Sequence, residues 1–125
     1  MMDITPIVPE GKQVIESYGD GIFTVTSVRH NNSIVVLPGK VFPWLISDAK
    51  ELNRKNISVI LENKEEIEIL LLGTGKNLQN VNSEIIAILK QADISCDVMD
   101  SGAACRTYNV LLAEERKVAA ALIAI

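Results

Sequence analysis

The sequence predicts one α/β domain over residues 1–125, with three layers around a mixed central β-sheet. Short β-branched runs separated by glycine and asparagine turns fill the first third of the chain, which is typical of an antiparallel meander. The second half alternates apolar strands with amphipathic helices, which is typical of a sheet covered by helices. A length of 125 residues with 48% hydrophobic composition suits one domain with a packed core.

Three strands are expected in the N-terminal part. The first two cover residues 14–18 and 22–28 and flank Gly19-Asp20-Gly21, whose glycines permit the positive φ angles of a hairpin. An asparagine pair marks the next turn, and the third strand, 33–37, stops at Pro38-Gly39. We expect these strands to form an antiparallel meander in sequence order.

Short helical turns are expected next. Ser47 or Asp48 can cap a turn that runs through Leu52, and Asn56 can cap a second turn that ends near Asn63. These side chains accept hydrogen bonds from the free amides at the start of a helix.

Three strands alternate with two helices in the second half of the chain. The first strand, 67–72, is apolar without alternation, so both of its faces are expected to be covered. The first helix follows Asn82 or Ser83 and repeats apolar residues at helical spacing from Ile85. The remaining elements are a strand at 94–99, a helix from about 103 to 114 opened by Asp100-Ser101-Gly102, and a final strand at 117–125.

The stretch LLLGTGKN, residues 70–77, leaves the first of these strands through two glycines. A dinucleotide-binding fingerprint would need a third glycine at position 78, which is Leu78. A nucleoside triphosphate loop would need four residues between Gly73 and the Gly-Lys pair, where only Thr74 stands. Both motifs are excluded, and close packing of a helix on the sheet also explains the glycines.

A candidate site for a small molecule or anion lies where two strands end. If the strands 67–72 and 94–99 are parallel, their exits share one edge of the sheet, beside the free amides of a helix N-terminus. The alternative is that the small residues there only allow close packing. The residues of this candidate crevice are Gly73, Thr74, Gly75, Lys76, Asp100, Ser101, Gly102, Cys105 and Arg106.

Two interpretations stay open for Cys105 and for Arg106. Helix amides and the guanidinium favour a reactive thiolate, but the one histidine, His30, lies in a distant turn. We expect Cys105 to be buried, as free cysteines usually are. Arg106 is predicted either to clamp an anion in the crevice or to pair with Asp100 or Glu114. Asp100 is also expected to cap the helix.

The composition argues against several function classes. The net charge is −4 with no cluster of basic residues, which disfavours nucleic acid as a partner. Two cysteines outside any Cys-x-x-Cys pair and one histidine cannot form a structural zinc site, and no metal or other cofactor is expected. No apolar run approaches the ~20 residues of a membrane-spanning helix. The N-terminus resembles neither a signal nor a transit peptide, so we expect a cytoplasmic protein.

The stretch VMDSGAACRTYNVLLAE, residues 98–114, resembles the hallmark of a small domain family. This family includes mitochondrial respiratory complex I assembly factor 3, the adipogenesis-associated domain protein and many bacterial and archaeal proteins. The strand and loop at 69–75, the Pro43-Trp44 step and the final strand at 118–123 also resemble the family. Glu115 departs from it, since members often have glycine there. The resemblance implies a three-layer α/β fold and an assembly role, and it brings no established enzyme activity or cofactor.

Two functions therefore compete. The first is a non-enzymatic bacterial interaction or assembly module whose partners are other proteins, with Trp44 either in the core or on the partner surface. The second is a small-molecule binder or enzyme that uses the candidate crevice. Self-association through an edge of the meander is also open.

Overall fold

The computed structural model describes residues 2–3 and 11–125. Within them the chain forms two sheets, three α-helices and two 3-10 helices. The strands are β1 Met2–Asp3, β2 Ile15–Gly19, β3 Ile22–Val25, β4 Val28–His30, β5 Ile34–Val36, β6 Val41–Pro43, β7 Ile69–Gly73, β8 Ser95–Met99 and β9 Val118–Leu122. The α-helices are α1 Ser58–Glu62, α2 Ser83–Gln91 and α3 Ser101–Ala113, and the 3-10 helices are Ala49–Glu51 and Lys64–Glu66.

The central sheet has five strands in the order β6-β5-β9-β7-β8. β9 pairs antiparallel with β5 and parallel with β7, and β7 pairs parallel with β8. A smaller antiparallel sheet has the order β1-β2-β3-β4. The predicted mixed central sheet is confirmed, and so is an N-terminal antiparallel meander, although this meander contains β1 to β4 and not the third predicted strand.

Alternate side chains of the central sheet face two separate cores. Leu70 and Leu72 of β7 belong to a core with residues of α1 and α2, whereas Leu71 belongs to a core with α3 and the smaller sheet. All five residues of β9 are buried, and three of them are alanines, so the layers on both faces can approach it closely. The predicted three-layer arrangement is confirmed, with the smaller sheet sharing one outer layer with α3.

The N-terminal strands differ in detail from the prediction. The expected strand 22–28 is broken at Thr26 and Ser27, which have φ angles of 45° and 68°, and it forms the hairpin of β3 and β4. The third expected strand does not pair with the second, because β5 joins the central sheet beside β9. All three residues of β5 are buried, so this strand needs a sheet that is covered on both faces.

Side-chain caps start the helical elements largely as predicted. Asp48 accepts a hydrogen bond from the backbone of Lys50 at 2.8 Å, and Asn82 accepts one from Glu84 at 2.8 Å. Asn56 does not cap α1, whose first turn has no side-chain cap. No helix in the described residues has both the length and the hydropathy to span a bilayer.

Candidate functional site at the carboxyl edge of the central sheet

The carboxyl ends of β7 and β8 lie side by side. The two strands are parallel, and Gly73 pairs with Met99 at their ends. The chain then leaves β7 towards α2, on one face of the sheet, and leaves β8 for α3, on the other. Diverging connections of this kind are where α/β sheets commonly bind ligands. The prediction that both strands exit at one edge is confirmed.

Backbone hydrogen bonds join these exits directly. The Thr74 amide donates to the Met99 carbonyl at 2.9 Å, and the Ser101 amide donates to the Gly75 carbonyl at 2.8 Å. The Ile123 amide, just beyond β9, donates to the Gly73 carbonyl at 3.0 Å. The loops after β7 and β8 are therefore bonded to each other and to the end of β9.

The side chain of Ser101 fills the space between the loops. Its hydroxyl accepts from the Gly75 amide at 2.9 Å and donates to the Ile123 carbonyl at 2.7 Å, and the residue is 0% exposed. A Cβ atom added to Gly73 would lie 2.8 Å from the Cα of Ser101. Glycine at position 73 is therefore required by the close approach of α3.

The other polar residues of the candidate crevice stabilise their own loops. The Thr74 hydroxyl donates to the Asn77 carbonyl at 2.8 Å and accepts from the Gln79 amide at 3.0 Å. The Asp100 carboxylate accepts from the Ala103 amide at 2.9 Å, which confirms the predicted helix cap. Lys76 is exposed.

Cys105 is fully buried, as expected. Burial raises the pKa of its thiol to about 12, although the neighbouring Arg106 guanidinium acts in the opposite direction. A thiol with this pKa is protonated at neutral pH, and the thiolate is the reactive form of cysteine.

Arg106 uses a partner that the sequence did not predict. Its Nη1 donates to the hydroxyl of Tyr18 in β2 rather than to Asp100 or Glu114. The Tyr18 ring lies against Gly102, where an added Cβ would come within 3.0 Å of the ring. This contact joins the first turn of α3 to the smaller sheet.

Asn109 also has a role that the sequence analysis missed. Its side chain accepts from the Ile15 amide at 3.1 Å and donates to the Ile15 carbonyl at 2.7 Å, which fixes β2 to α3. The spacing could have indicated this, because Asn109 follows Cys105 by four residues and precedes Leu112 by three, on the buried face of α3. A polar side chain on such a face needs a hydrogen-bond partner.

The arrangement at this edge is suited to holding strands together. No buried side-chain nitrogen or oxygen in the described residues lacks a hydrogen-bond partner. The same residues contain no cluster of three or more His, Cys, Asp or Glu that could hold a metal ion. Binding of a ligand at the crevice stays a prediction, and Lys76 and Arg106 are the exposed cations among its predicted residues.

Trp44 and its neighbour Leu45 differ sharply in exposure. Trp44 is 3% exposed, and its Nε1 donates to the Asn56 carbonyl at 2.7 Å. Leu45 is 91% exposed. A partner that approaches the Pro-Trp step would therefore meet Leu45 first.

Comparison with known proteins identifies relatives over most of the chain. The family described as a protein of unknown function, DUF498/DUF598, matches residues 15–123. The chain is 32% identical over 110 residues to NADH dehydrogenase (ubiquinone) 1 alpha subcomplex assembly factor 3 of Danio rerio, covering 88% of this chain and 63% of that protein. The Xenopus tropicalis protein of the same name is 30% identical over 109 residues, covering 87% and 60%. The chain thus spans less than two thirds of the length of these relatives.

Solved structures share the same fold. A crystal structure described as an outer membrane protein from Bartonella henselae has a TM-score of 0.84 and 39% identity, covering 91% of this chain and 96% of that one. An NMR structure from Bordetella pertussis, described as an Mth938-like domain, has a TM-score of 0.79 and 25% identity, covering 98% and 92%. The family model covers most of the chain, so the chain belongs to the DUF498/DUF598 family.

Proposed function

We propose that this protein is a non-enzymatic interaction module that assists the assembly of a larger protein complex, with respiratory complexes as the first candidates. The observation that carries the proposal is the similarity of 87% of the chain to relatives named as complex I assembly factors. The chain covers 60% of such a relative, so the shared part is this domain. We therefore assign partner binding to the domain itself.

The geometry supports binding over chemistry. The candidate nucleophile Cys105 is buried with a pKa of about 12, and Ser101 is bonded to backbone groups on both sides. Both described cysteines, Cys96 and Cys105, are free thiols, which suits a reducing compartment. A location in the cytoplasm is part of the proposal.

The experiment is cross-linking of the tagged full-length protein in its native cell, combined with deletion of its gene. We expect a reproducible partner above a tag-only control, and a smaller amount of an assembled respiratory complex on native gels after deletion. Capture of a partner outside the respiratory chain would keep the interaction module and overturn the respiratory role. No partner above the control, together with unchanged complexes, would overturn the proposal.

One observation favours a second candidate function, an anion or small-molecule binder. The connections after β7 and β8 diverge, and each connection carries an exposed cation nearby in sequence, Lys76 after β7 and Arg106 in α3. We expect phosphate or a dicarboxylate to raise the melting temperature of the wild type, and Arg106→Ala or Lys76→Ala to abolish the increase. The absence of any increase, or the same increase in both variants, would remove this candidate.

A further inference from the structure

A groove lies beside the exposed Leu45, on the segment that connects β6 to β7. Its volume is about 780 Å³, within the ~300–1,000 Å³ range of typical binding clefts. Residues from the end of β6, the first 3-10 helix, the following turn and the start of α1 line it. They are Pro43, Trp44, Leu45, Lys50, Glu51, Leu52, Asn53, Lys55, Asn56, Ser58 and Val59. The groove is distant in sequence from the carboxyl edge of the sheet.

The backbone turns the side chain of Leu45 away from the core. The Ile46 amide donates to the Trp44 carbonyl at 2.9 Å, which closes a γ-turn with Leu45 at its centre. Trp44 and Ile46 point inward and are 3% and 6% exposed. Leu45 therefore stands at the mouth of the groove without contributing to the core, which is the arrangement of an anchor for a partner.

Hydrogen bonds hold the wall of the groove in place before any partner binds. Asn53 and Asn56 bond reciprocally, each side-chain oxygen accepting from the other's backbone amide at 2.9 Å. The Asn56 amide group also donates to the Glu51 carbonyl at 2.7 Å, and the Asn56 carbonyl holds the Trp44 ring. A preformed wall lowers the cost of ordering on binding.

The charge of the groove is opposite to that of the chain. Lys50 and Lys55 line it, and the exposed Arg54 precedes Lys55, on a chain with a net charge of −4. No carboxylate in the described residues forms an ion pair with these cations. The one lining carboxylate, Glu51, accepts from the Ser47 hydroxyl at 2.7 Å and from the Ser47 amide at 3.1 Å. Acidic groups on a partner would be attracted here and repelled elsewhere.

We propose that this groove binds an acidic amphipathic segment of a partner protein, with an apolar side chain of that segment packed against Leu45 and its carboxylates facing Lys50 and Lys55. The proposal rests on the proposed interaction function and adds the surface and the partner's chemistry. The concave shape of the groove favours a peptide segment over a flat membrane surface.

The experiment is an NMR titration of the ¹⁵N-labelled full chain. Trp44 is the only tryptophan, so its indole N–H gives a single reporter signal beside the groove. The probe is a synthetic helical peptide with leucine at every third or fourth position and glutamate between. The comparison probes are the same peptide with glutamine in place of glutamate, and vesicles of phosphatidylcholine with phosphatidylglycerol. We expect the acidic peptide to shift the indole signal and the amides of residues 43–59, and the glutamine peptide to bind several-fold more weakly.

Matched leucine variants distinguish binding at the groove from nonspecific hydrophobic binding. Leu45→Ser should lower the affinity for the acidic peptide about tenfold or more, because a leucine buried at an interface contributes that much to binding. Leu78→Ser, which removes another exposed leucine (67%) outside the groove, should leave the affinity unchanged. The double variant Lys50→Gln, Lys55→Gln should have a lower affinity for the acidic peptide and an unchanged affinity for the glutamine peptide. Equal losses for the two leucine variants, no shift with the peptide, or shifts produced by vesicles instead would overturn the proposal.

Cross-linking with the same variants distinguishes this inference from the proposed function. Loss of the cellular partner in Leu45→Ser and its retention in Leu78→Ser supports both. If both variants retain the cellular partner and the peptide does not bind, the proposed role of the groove is overturned. The proposed interaction function is then unaffected. If the wild type captures no partner, the proposed function fails, and the titration alone decides the chemistry of the groove.

Discussion

Gly73 lies at the closest contact between the end of β7 and the start of α3, so one added methyl group tests whether this edge of the sheet is closed. In Gly73→Ala the new Cβ would lie 2.8 Å from both the Cα and the Oγ of Ser101, and 3.2 Å from a methyl group of Leu122. Carbon atoms in good contact lie about 3.5–4.0 Å apart. The overlap with the Ser101 Cα is therefore about 0.7 Å or more.

Ser101 cannot move away without losing hydrogen bonds. Its amide donates to the Gly75 carbonyl at 2.8 Å, and its hydroxyl accepts from the Gly75 amide at 2.9 Å. The same hydroxyl donates to the Ile123 carbonyl at 2.7 Å, just beyond the end of β9. The clash is with backbone, so a rotamer change does not relieve it. We expect Gly73→Ala to lower the free energy of unfolding by about 3 kcal/mol, at the upper end of the range for overpacking. The melting temperature should fall by about 10 °C or more.

Urea unfolding followed by circular dichroism measures this change, with Gly39→Ala as the matched control. A Cβ at Gly39 meets no atom within 4 Å, and the φ angle of Gly39 lies outside the left-handed region. The control should change the stability by no more than about 0.5–1 kcal/mol. If Gly73→Ala were as stable as the control, the two loops would not be in contact, and the edge would be open to a ligand.

Three further predictions test the buried thiol, the end of α3 and the attachment of β2. Burial raises the pKa of Cys105 to about 12 from its ordinary 9. In the variant Cys96→Ser, where Cys105 is the remaining thiol, alkylation of the folded protein near pH 8 should therefore be on the order of a thousandfold slower than alkylation of the protein unfolded in urea. The folded thiol keeps its proton where the unfolded thiol loses it, so stability should fall as the pH rises from about 9 towards 12. Glu115 has a φ of 62°, so Glu115→Gly should stabilise the protein against urea by about 0.5–1 kcal/mol, whereas Glu114→Gly, at a φ of −87°, should destabilise it similarly. Asn109→Ala should lower the free energy of unfolding by about 2 kcal/mol or more. It should also speed hydrogen exchange at the Ile15 amide, which loses its acceptor.

Local features of the fold were predictable because their causes are local. Asp48, Asn82 and Asp100 cap helical elements within three residues of themselves, which a sequence shows directly. The break at Thr26 and Ser27 was missed, since neither residue is a usual carrier of positive φ.

Strand partners were not predictable in the same way. The apolar run of β5 indicates a covered strand, but nothing within it specifies β9 as its neighbour, which lies about 85 residues later in the chain. The smaller sheet was therefore predicted to extend further than it does. All three residues of β5 are buried in the structure, so both faces of this strand are covered, which is possible in the central sheet.

The candidate crevice shows the same limit at a single site. Parallel strands place Gly73 and Ser101 together, and the sequence was sufficient to predict that. It did not indicate that the Ser101 hydroxyl would point into the gap and bond across it. Likewise, Trp44, Leu45 and Ile46 are all apolar, and only the γ-turn determines that the middle one faces solvent.

The carboxyl edge of the central sheet and the exposed Leu45 are expected to serve different roles, the first in stability and the second in the proposed recognition of a partner. At the carboxyl edge, small residues bring three strand ends and α3 into contact, so substitutions there act on folding. Leu45 is 91% exposed between two buried residues, so Leu45→Ser removes almost no core contact and should leave the urea midpoint unchanged. An exposed leucine that contributes so little to folding is available for a partner, and a loss of binding in Leu45→Ser at unchanged stability would separate the two roles in one variant. A fall in stability of more than about 1 kcal/mol would show instead that Leu45 packs in the fold, and would contradict this division.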